Sequence, residues 1–227
     1  MKTSILTILA YFIMCGVSYA SDVYITQSGA SLTANINQDG QTNRFGVSGT
    51  VVTLTGDSQV LDIDQIGNTN TIAASLIGAI QEFTLRQAGN SNTSTVSVGS
   101  NSASGDNSII ETITGSSNTT TVNVGNSAST DDADIDLTAT GDSNTITINE
   151  NSTASMVGSD KKITSITAIG SSNTITSTHT GAADQDTTLH HTGASSTFAI
   201  TQGGAYDGTT SITTVGSGHN VTVTMDD

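Results

Sequence analysis

Apolar and polar residues alternate in short segments along the chain, and each of these segments follows a glycine. The side chains five and seven residues after the glycine are mostly apolar, and the residue between them is mostly polar or Thr. This alternation, rich in β-branched residues, predicts strands that bury one face. The glycines favour tight turns, because their backbone adopts positive φ without a steric penalty. The apolar pairs include Phe45/Val47, Leu61/Ile63, Phe83/Leu85, Ile146/Ile148 and Phe198/Ile200.

The glycines are themselves periodic. The four glycines from Gly56 to Gly89 lie eleven residues apart, and steps of eleven or twelve return from Gly170 to Gly216. Asn stands three residues after every second glycine, which makes the repeat a pair of unlike strand–turn halves. The glycines and asparagines of these turns are Gly40/Asn43, Gly67/Asn70, Gly89/Asn92, Gly115/Asn118, Gly141/Asn144 and Gly170/Asn173.

Two strands and two turns per repeat predict an all-β fold, a β-solenoid of about eight two-stranded coils stacked into two facing parallel sheets. Neighbouring coils in such a stack are separated by about 4.8 Å. Residues 21–227 form this single domain. Its core is a thin aliphatic slab with ladders of Asn and Gln, in which stacked amides bond to each other along the axis. Longer loops are expected near 99–107, 125–134 and 149–162, all at one edge, where insertions leave the stacking intact.

The first twenty residues have the pattern of a secretory signal peptide. Lys2 precedes an apolar run from Ile5 to Val17, and the small residues Ser18 and Ala20 suit a cleavage site near Ala20. We therefore expect a secreted protein, extracellular or at the cell surface. The only cysteine, Cys15, lies in this segment, so the secreted form has no thiol for a disulfide.

The chain is strongly acidic, with five basic and 20 acidic residues and a formal net charge of −15. Nucleic acids and anionic membrane surfaces both attract Lys and Arg, so the charge argues against both as partners. After Ser21 no segment is apolar enough to span a bilayer. We expect neither nucleic-acid binding nor membrane insertion.

Three of the turns carry a longer motif, Gln-x-Gly-x-x-Asn. It occurs at residues 38–43, 65–70 and 87–92, and places Gln38, Gln65 and Gln87 two residues before the glycine. In this motif the chain resembles the curlin repeat of bacterial functional amyloid. The resemblance implies a subunit that polymerises with itself into extracellular fibres for adhesion and biofilm, with a nucleator or an export pore as further partners. No capping segment precedes Val23 or follows Val221, which suits end-to-end stacking.

Candidate chemistry is sparse, and we expect no catalytic, cofactor-binding or metal site, and no enzyme. His179 and His191 fall where Gln stands in other repeats, and are expected to be ladder residues. The acidic run at 131–136 has the residue type that binds Ca²⁺, but a solvated loop is favoured because the calcium β-roll motif is absent. Glu111 falls on an inward position, and a local register shift is expected to spare the carboxylate from burial.

Two alternative functions stay open. Threonines four and six residues after the Asn-turn glycines predict a Thr-x-Thr ladder on the outer face, which resembles the ice-binding face of solenoid antifreeze proteins. Threonine is also the commonest polar residue on strands in general. The second alternative is a spacer in a phage or surface adhesin. The ladder residues are Thr93/Thr95, Thr119/Thr121, Thr145/Thr147, Thr174/Thr176 and Thr222.

Overall fold

The computed structural model describes residues 6–13, 21–40, 42–46, 51–78, 81–99, 107–125, 133–151, 161–181, 184–203 and 208–226. Every regular element in these residues is a strand. No helix among them is long and apolar enough to cross a membrane. The strands are β1 (Leu6–Ile13), β2 (Ser21–Val23), β3 (Thr26–Ser28), β4 (Leu32–Asp39), β5 (Asn43–Phe45), β6 (Val52–Thr55), β7 (Gln59–Ile66), β8 (Thr71–Ile77), β9 (Gln81–Ala88), β10 (Thr93–Val98), β11 (Asn107–Thr114), β12 (Thr119–Val124), β13 (Ala133–Thr140), β14 (Thr145–Asn151), β15 (Lys161–Ile169), β16 (Thr174–Thr180), β17 (Asp184–Ala194), β18 (Thr197–Gly203), β19 (Gly208–Ser217) and β20 (Asn220–Asp226).

From β7 onward, successive strands alternate between two sheets, and every pairing within a sheet is parallel. Sheet 1 has the order β1-β4-β7-β9-β11-β13-β15-β17-β19, and sheet 2 has the order β2-β5-β8-β10-β12-β14-β16-β18-β20, with β3 and β6 beside it. Each strand therefore pairs with its equivalents one coil earlier and one coil later. The predicted fold class, a β-solenoid with two facing parallel sheets, is confirmed.

The coils are most regular in the middle of the stack. Six consecutive coils, from Gln59 to Gly203, each consist of one strand in sheet 1 and the following strand in sheet 2. The first coil is less regular, since β5 and β6 share its place in sheet 2. β1 comes from the predicted signal segment and pairs with β4 through all eight of its residues. The regular part of the stack thus has about six coils, slightly fewer than the eight predicted, and further coils extend it at both ends.

The core is a thin slab that consists of one layer of inward side chains from each sheet. Strand residues alternate between buried and outward positions, as in β7 and β9, because successive side chains of a strand point to opposite faces. The in-register stacking places Leu61 on Phe83 and Phe83 on Ile109, and all three are almost fully buried. Each such side chain contributes roughly 1.5–3 kcal/mol relative to exposure. The predicted long loops fall mostly outside the described residues.

Candidate functional site

One inward row of sheet 1 holds the predicted glutamine ladder. Gln38, Gln65 and Gln87 occupy matching positions on β4, β7 and β9 and are buried. Gln65 Nε2 donates to Gln38 Oε1 at 2.6 Å, and Gln87 Nε2 donates to Gln65 Oε1 at 3.0 Å. Stacking like amides in register gives these buried groups partners along the axis. Further along the stack the row continues with Ile113, Ala139, Ala168 and His191.

The turn asparagines form a second ladder, and it has a direction. The side-chain oxygen of Asn92 accepts from the backbone N–H of Asn70 at 3.1 Å, and that of Asn118 accepts from Asn92 N–H at 2.9 Å. The same bond joins each later asparagine to the one before it. At the end of the row Asn173 N–H donates to Ser196 Oγ at 3.0 Å. The bonds between coils thus use a side chain on one coil and the backbone of its neighbour. The later pairs are Asn118/Asn144 and Asn144/Asn173, and Asn43 Nδ2 donates to the carbonyls of Gln38 and Ile66.

The turn glycines stack on each other so closely that no side chain fits between them. A Cβ built on Gly89 would overlap the carbonyl oxygen of Gly67, and Gly89 has a φ of +154°. The equivalent glycines are Gly115, Gly141 and Gly170 on one side and Gly67 and Gly40 on the other. Two residues after Gly89, Gly115, Gly141 and Gly170 the chain enters the left-handed region with a serine, as at Ser143, whose φ is +60°. Sequence reasoning missed this feature, although serine recurs before the asparagine.

The four histidines occupy different environments. His191 lies in the glutamine row, where its Nε2 contacts Gly170 O at 3.0 Å and Ser196 Oγ at 3.1 Å. Burial lowers the pKa of His191, and the His219 ring beside it lowers it further, against a raising effect of the bond to Gly170. His179 is buried in a row of sheet 2, between Glu150 and Gln202. His190 points outward. No group of three or more His, Cys, Asp or Glu in the described residues has the geometry of a metal site.

Glu111 lies in the core of the stack. It pairs in regular register with Leu85 on one side and Leu137 on the other, so the expected register shift at this residue was wrong. Its side chain is 1% exposed, and its Oε1 accepts from Ser94 Oγ at 3.2 Å. Burial raises the pKa of Glu111 to about 8, and the Ser94 bond offsets this only in part. The carboxyl is therefore mostly protonated at neutral pH.

A second buried acid, Glu150, was missed by sequence reasoning. Its Oε2 lies 2.8 Å from His179 Nδ1, and Thr164 Oγ1 donates to its Oε1 at 2.7 Å. The period-two phase of β14 was the available signal, since Glu150 follows inward-facing Ile148 by two residues. Glu150 and His179 both lie inside the slab, and each carboxylate oxygen of Glu150 has a hydrogen-bond partner.

The outer face of sheet 2 carries hydroxyl and amide side chains in register. Strand geometry spaces its rows by about 7 Å along the strand and about 4.8 Å between strands. On β8, β10, β12, β14, β16 and β18, no described outward-facing residue is charged, whereas sheet 1 bears Asp62, Asp64 and Arg86 on its outer face. Asp134 and Asp136 of the acidic run also point outward from sheet 1, and Asp131 and Asp132 lie outside the described residues. The two complete rows of sheet 2 are Thr71, Thr93, Thr119, Thr145, Thr174 and Thr197, and Ser75, Ser97, Asn123, Asn149, Thr178 and Thr201, with Thr95, Thr121, Thr147 and Thr176 between them.

The outer coil, formed by β19 and β20, has apolar side chains that none of the described strands covers. Val221 and Val223 pair with the buried Phe198 and Ile200, so their side chains point toward the core. They are nevertheless 44% and 43% exposed, and Met225 in the same phase is 53% exposed. The outward strand edges of β19 and β20 have no partner strand in the described part of the chain. Among the described residues, the apolar slab and two strand edges are thus uncovered at this end of the stack.

Comparison of the chain with protein-family models, with curated proteins and with solved structures finds no match. The curlin resemblance rests on the Gln-x-Gly-x-x-Asn repeats alone and stays a prediction. The site is therefore interpreted from its own geometry: in-register ladders, a neutral hydroxyl face and an open coil.

Proposed function

We propose that this chain is a secreted structural subunit that assembles end to end into extracellular amyloid-type fibres for adhesion and biofilm formation. The observation that carries the proposal is the outer coil. Its inward apolar residues and unpaired strand edges offer the same contacts that every internal coil makes with its neighbour. Strand addition at such an edge supplies main-chain hydrogen bonds and buries apolar side chains together.

The opposite end of the stack is suited to contact the outer coil of a second copy of the chain. At the start of sheet 2, Val23 and Ile25 lie in the rows that end with Val221 and Val223, and both pack against the core. A second copy stacked in the same register places Val23 on Val221 and Ile25 on Val223. These two apolar rows of sheet 2 then continue through the junction. A head-to-tail contact of this kind repeats without closing, which generates a fibre.

The test compares two faces of the same strand. Val223→Lys places a charge on the uncovered inward face of β20, whereas the matched control Thr224→Lys places it on the outward face. We expect the secreted form and Thr224→Lys to form unbranched fibres that bind amyloid dyes. Val223→Lys should remain monomeric, because a buried unpaired charge opposes stacking. Dye binding and electron microscopy measure the outcome, and equal fibre formation by both variants would exclude the outer coil as the junction.

A second candidate function, ice binding, is favoured by the neutral, in-register rows of sheet 2. An array of hydroxyl groups in register matches an ordered water surface better than a charged face does. The test is thermal hysteresis and ice-crystal shaping by the secreted form, with Thr147→Tyr to disrupt the array and outward Thr167→Tyr on sheet 1 as the control. We expect no hysteresis from any of the three. A clear effect that Thr147→Tyr alone abolishes would place ice binding above fibre formation.

A further inference from the structure

Two facing rows of polar side chains run through the core near the open end, where the earlier coils hold aliphatic residues. Glu150, His179 and Gln202 stack in one row of sheet 2. Thr164, Thr187 and Thr210 stack in the opposite row of sheet 1. All but Thr210 are at most 4% exposed. Such a concentration of buried polar groups is costly unless each has a partner, and here the partners form one connected set.

Thr187 has the surroundings of an activated nucleophile. Its Oγ1 lies 3.0 Å from His179 Nε2, and His179 Nδ1 lies 2.8 Å from Glu150 Oε2. When Nδ1 carries the proton and donates it to Glu150, Nε2 is left to accept the hydroxyl proton of Thr187. A hydroxyl, an imidazole base and a carboxylate that orients the base form the arrangement that activates hydroxyl nucleophiles. Thr164 holds the carboxylate from its other side.

The carboxamide of Gln202 is held against this hydroxyl. Gln202 Nε2 donates to Thr187 Oγ1 at 3.1 Å and to the carbonyl of Gln185 at 3.0 Å. Its carbonyl oxygen, Oε1, accepts from Thr210 Oγ1 at 2.7 Å. A donor aimed at this oxygen stabilises the negative charge that develops there when the carbonyl carbon is attacked. Burial keeps bulk water from competing with the attacking hydroxyl.

We propose that Thr187 and Gln202 react to form an intramolecular ester that joins sheet 1 to sheet 2. Thr187 Oγ1 attacks Gln202 Cδ, and the hydroxyl proton passes to His179 Nε2. The Oγ1–Cδ bond forms, the Cδ–Nε2 bond breaks, and the leaving nitrogen takes the proton from His179 and departs as ammonia. His179 is the catalytic residue, and Glu150 is a positioning residue that acts through it. No oxidant, metal or cofactor is required.

Ser177 also contacts His179 Nε2, at 2.7 Å. The hydrogen bonds of the Gln202 amide, however, go to Thr187 and to the backbone of Gln185. The geometry therefore assigns Thr187 as the nucleophile. The ester would join two residues 15 positions apart, across the slab in the coil beside the open end. It would give the cysteine-free secreted chain a covalent link between its sheets, and it does not depend on the assembly proposed above.

The experiment is the intact mass of the purified secreted form, followed by peptide mapping. We expect a mass lower than that of the sequence by one ammonia, and peptides containing Thr187 and Gln202 that stay joined after cleavage at Phe198. Hydroxylamine should separate them, because it cleaves esters and leaves amides intact. A folded protein with the full sequence mass, shown by circular dichroism to be β-rich, would overturn the proposal.

Variants assign the roles. Thr187→Val and Gln202→Glu should retain the full variant mass, whereas Thr187→Ser and Ser177→Ala should still lose ammonia. Loss of ammonia that persists in Thr187→Val and disappears in Ser177→Ala would also overturn the assignment. Glu150→Gln should slow the reaction and change its pH–rate profile, which a merely structural residue would leave unchanged. The rate is followed by mass after refolding from denaturant.

Discussion

At the scale of single residues, Glu111 is the side chain least suited to its position. The residues paired with it on the two neighbouring strands are Leu85 and Leu137, so its surroundings in the row are apolar. Burial raises the pKa of Glu111 to about 8, so it is buried as the neutral acid, with Oε1 accepting from Ser94 and Oε2 without a hydrogen-bond partner in the described residues. A protonated carboxyl in an apolar row costs less than a charged one, but more than an aliphatic group.

This residue makes the stability of the protein dependent on pH. The folded state holds the Glu111 proton up to about pH 8, whereas the unfolded chain releases it near the ordinary pKa of glutamic acid. The contribution of Glu111 to stability is therefore largest below that ordinary value and falls as the pH rises toward 8, by up to about 5 kcal/mol. Glu111→Leu should remove this fall and raise the free energy of unfolding at neutral pH.

Urea unfolding at about pH 5 and about pH 8 measures the effect. The control is Glu82→Leu, which changes an exposed glutamate on the outer face of sheet 1 and should leave the pH dependence in place. If Glu111→Leu loses stability on raising the pH as steeply as the unmodified chain does, the carboxyl is not buried.

At the scale of elements, the bonds between coils concentrate at the compact turns. Gly89 and its equivalents permit the backbones to stack, and Asn92 and its equivalents bond each turn to the one before it. Asn92 also donates from Nδ2 to the carbonyl of Gly89, so one side chain fixes both its own turn and the spacing between turns. Thr93, the next residue, is exposed on the outer face.

Replacing these two neighbours should therefore have unequal effects. Asn92→Ala leaves the buried N–H of Asn70 and the carbonyl of Gly89 without their partner, which costs roughly 1–3 kcal/mol for each group. Thr93→Ala should change the stability by less than about 0.5 kcal/mol, as expected of surface substitutions. Urea midpoints of the two variants test this, and equal losses would mean that the inward and outward faces are assigned wrongly.

At the scale of the whole molecule, the two ends of the stack differ. The outer coil presents Val221 and Val223, and the start of sheet 2 presents Val23 and Ile25. A fibre built from these contacts is polar, and each subunit uses both ends. A subunit with one end blocked should therefore join a fibre and prevent the next addition at that end.

This gives a prediction for mixtures. A small fraction of Val223→Lys, whose Val23 end is intact, should bind to growing fibres and stop their elongation at one end. Fibres grown with it should be shorter than those grown with the same fraction of Thr224→Lys. Fibre lengths from electron micrographs measure this. Equal lengths in both mixtures would contradict a head-to-tail junction at the outer coil.

The repeat pattern by itself determined the fold. Period-two alternation and glycine spacing sufficed for the strands, the two parallel sheets and the stacking, because a solenoid repeats one local solution and each coil contacts only its neighbours. The same phase placed Gln65 and Asn92 inward and Thr93 outward. Whether a strand residue points inward or outward depends on its spacing from its neighbours, and that spacing can be read directly from the sequence.

Only the tertiary structure decided what the exceptions to the pattern do. Glu111 keeps the register because the neighbouring coils hold its strand in place on both sides, and the carboxyl adapts by retaining its proton. Thr187 and Gln202 lie 15 residues apart, on strands of different sheets, and His179 and Glu150 come from two earlier coils. Their meeting depends on how the two sheets face each other across the slab. The spacing of residues along one strand says nothing about which side chains of the opposite sheet lie within hydrogen-bond distance. That is decided only when the coils are stacked and the two sheets face each other.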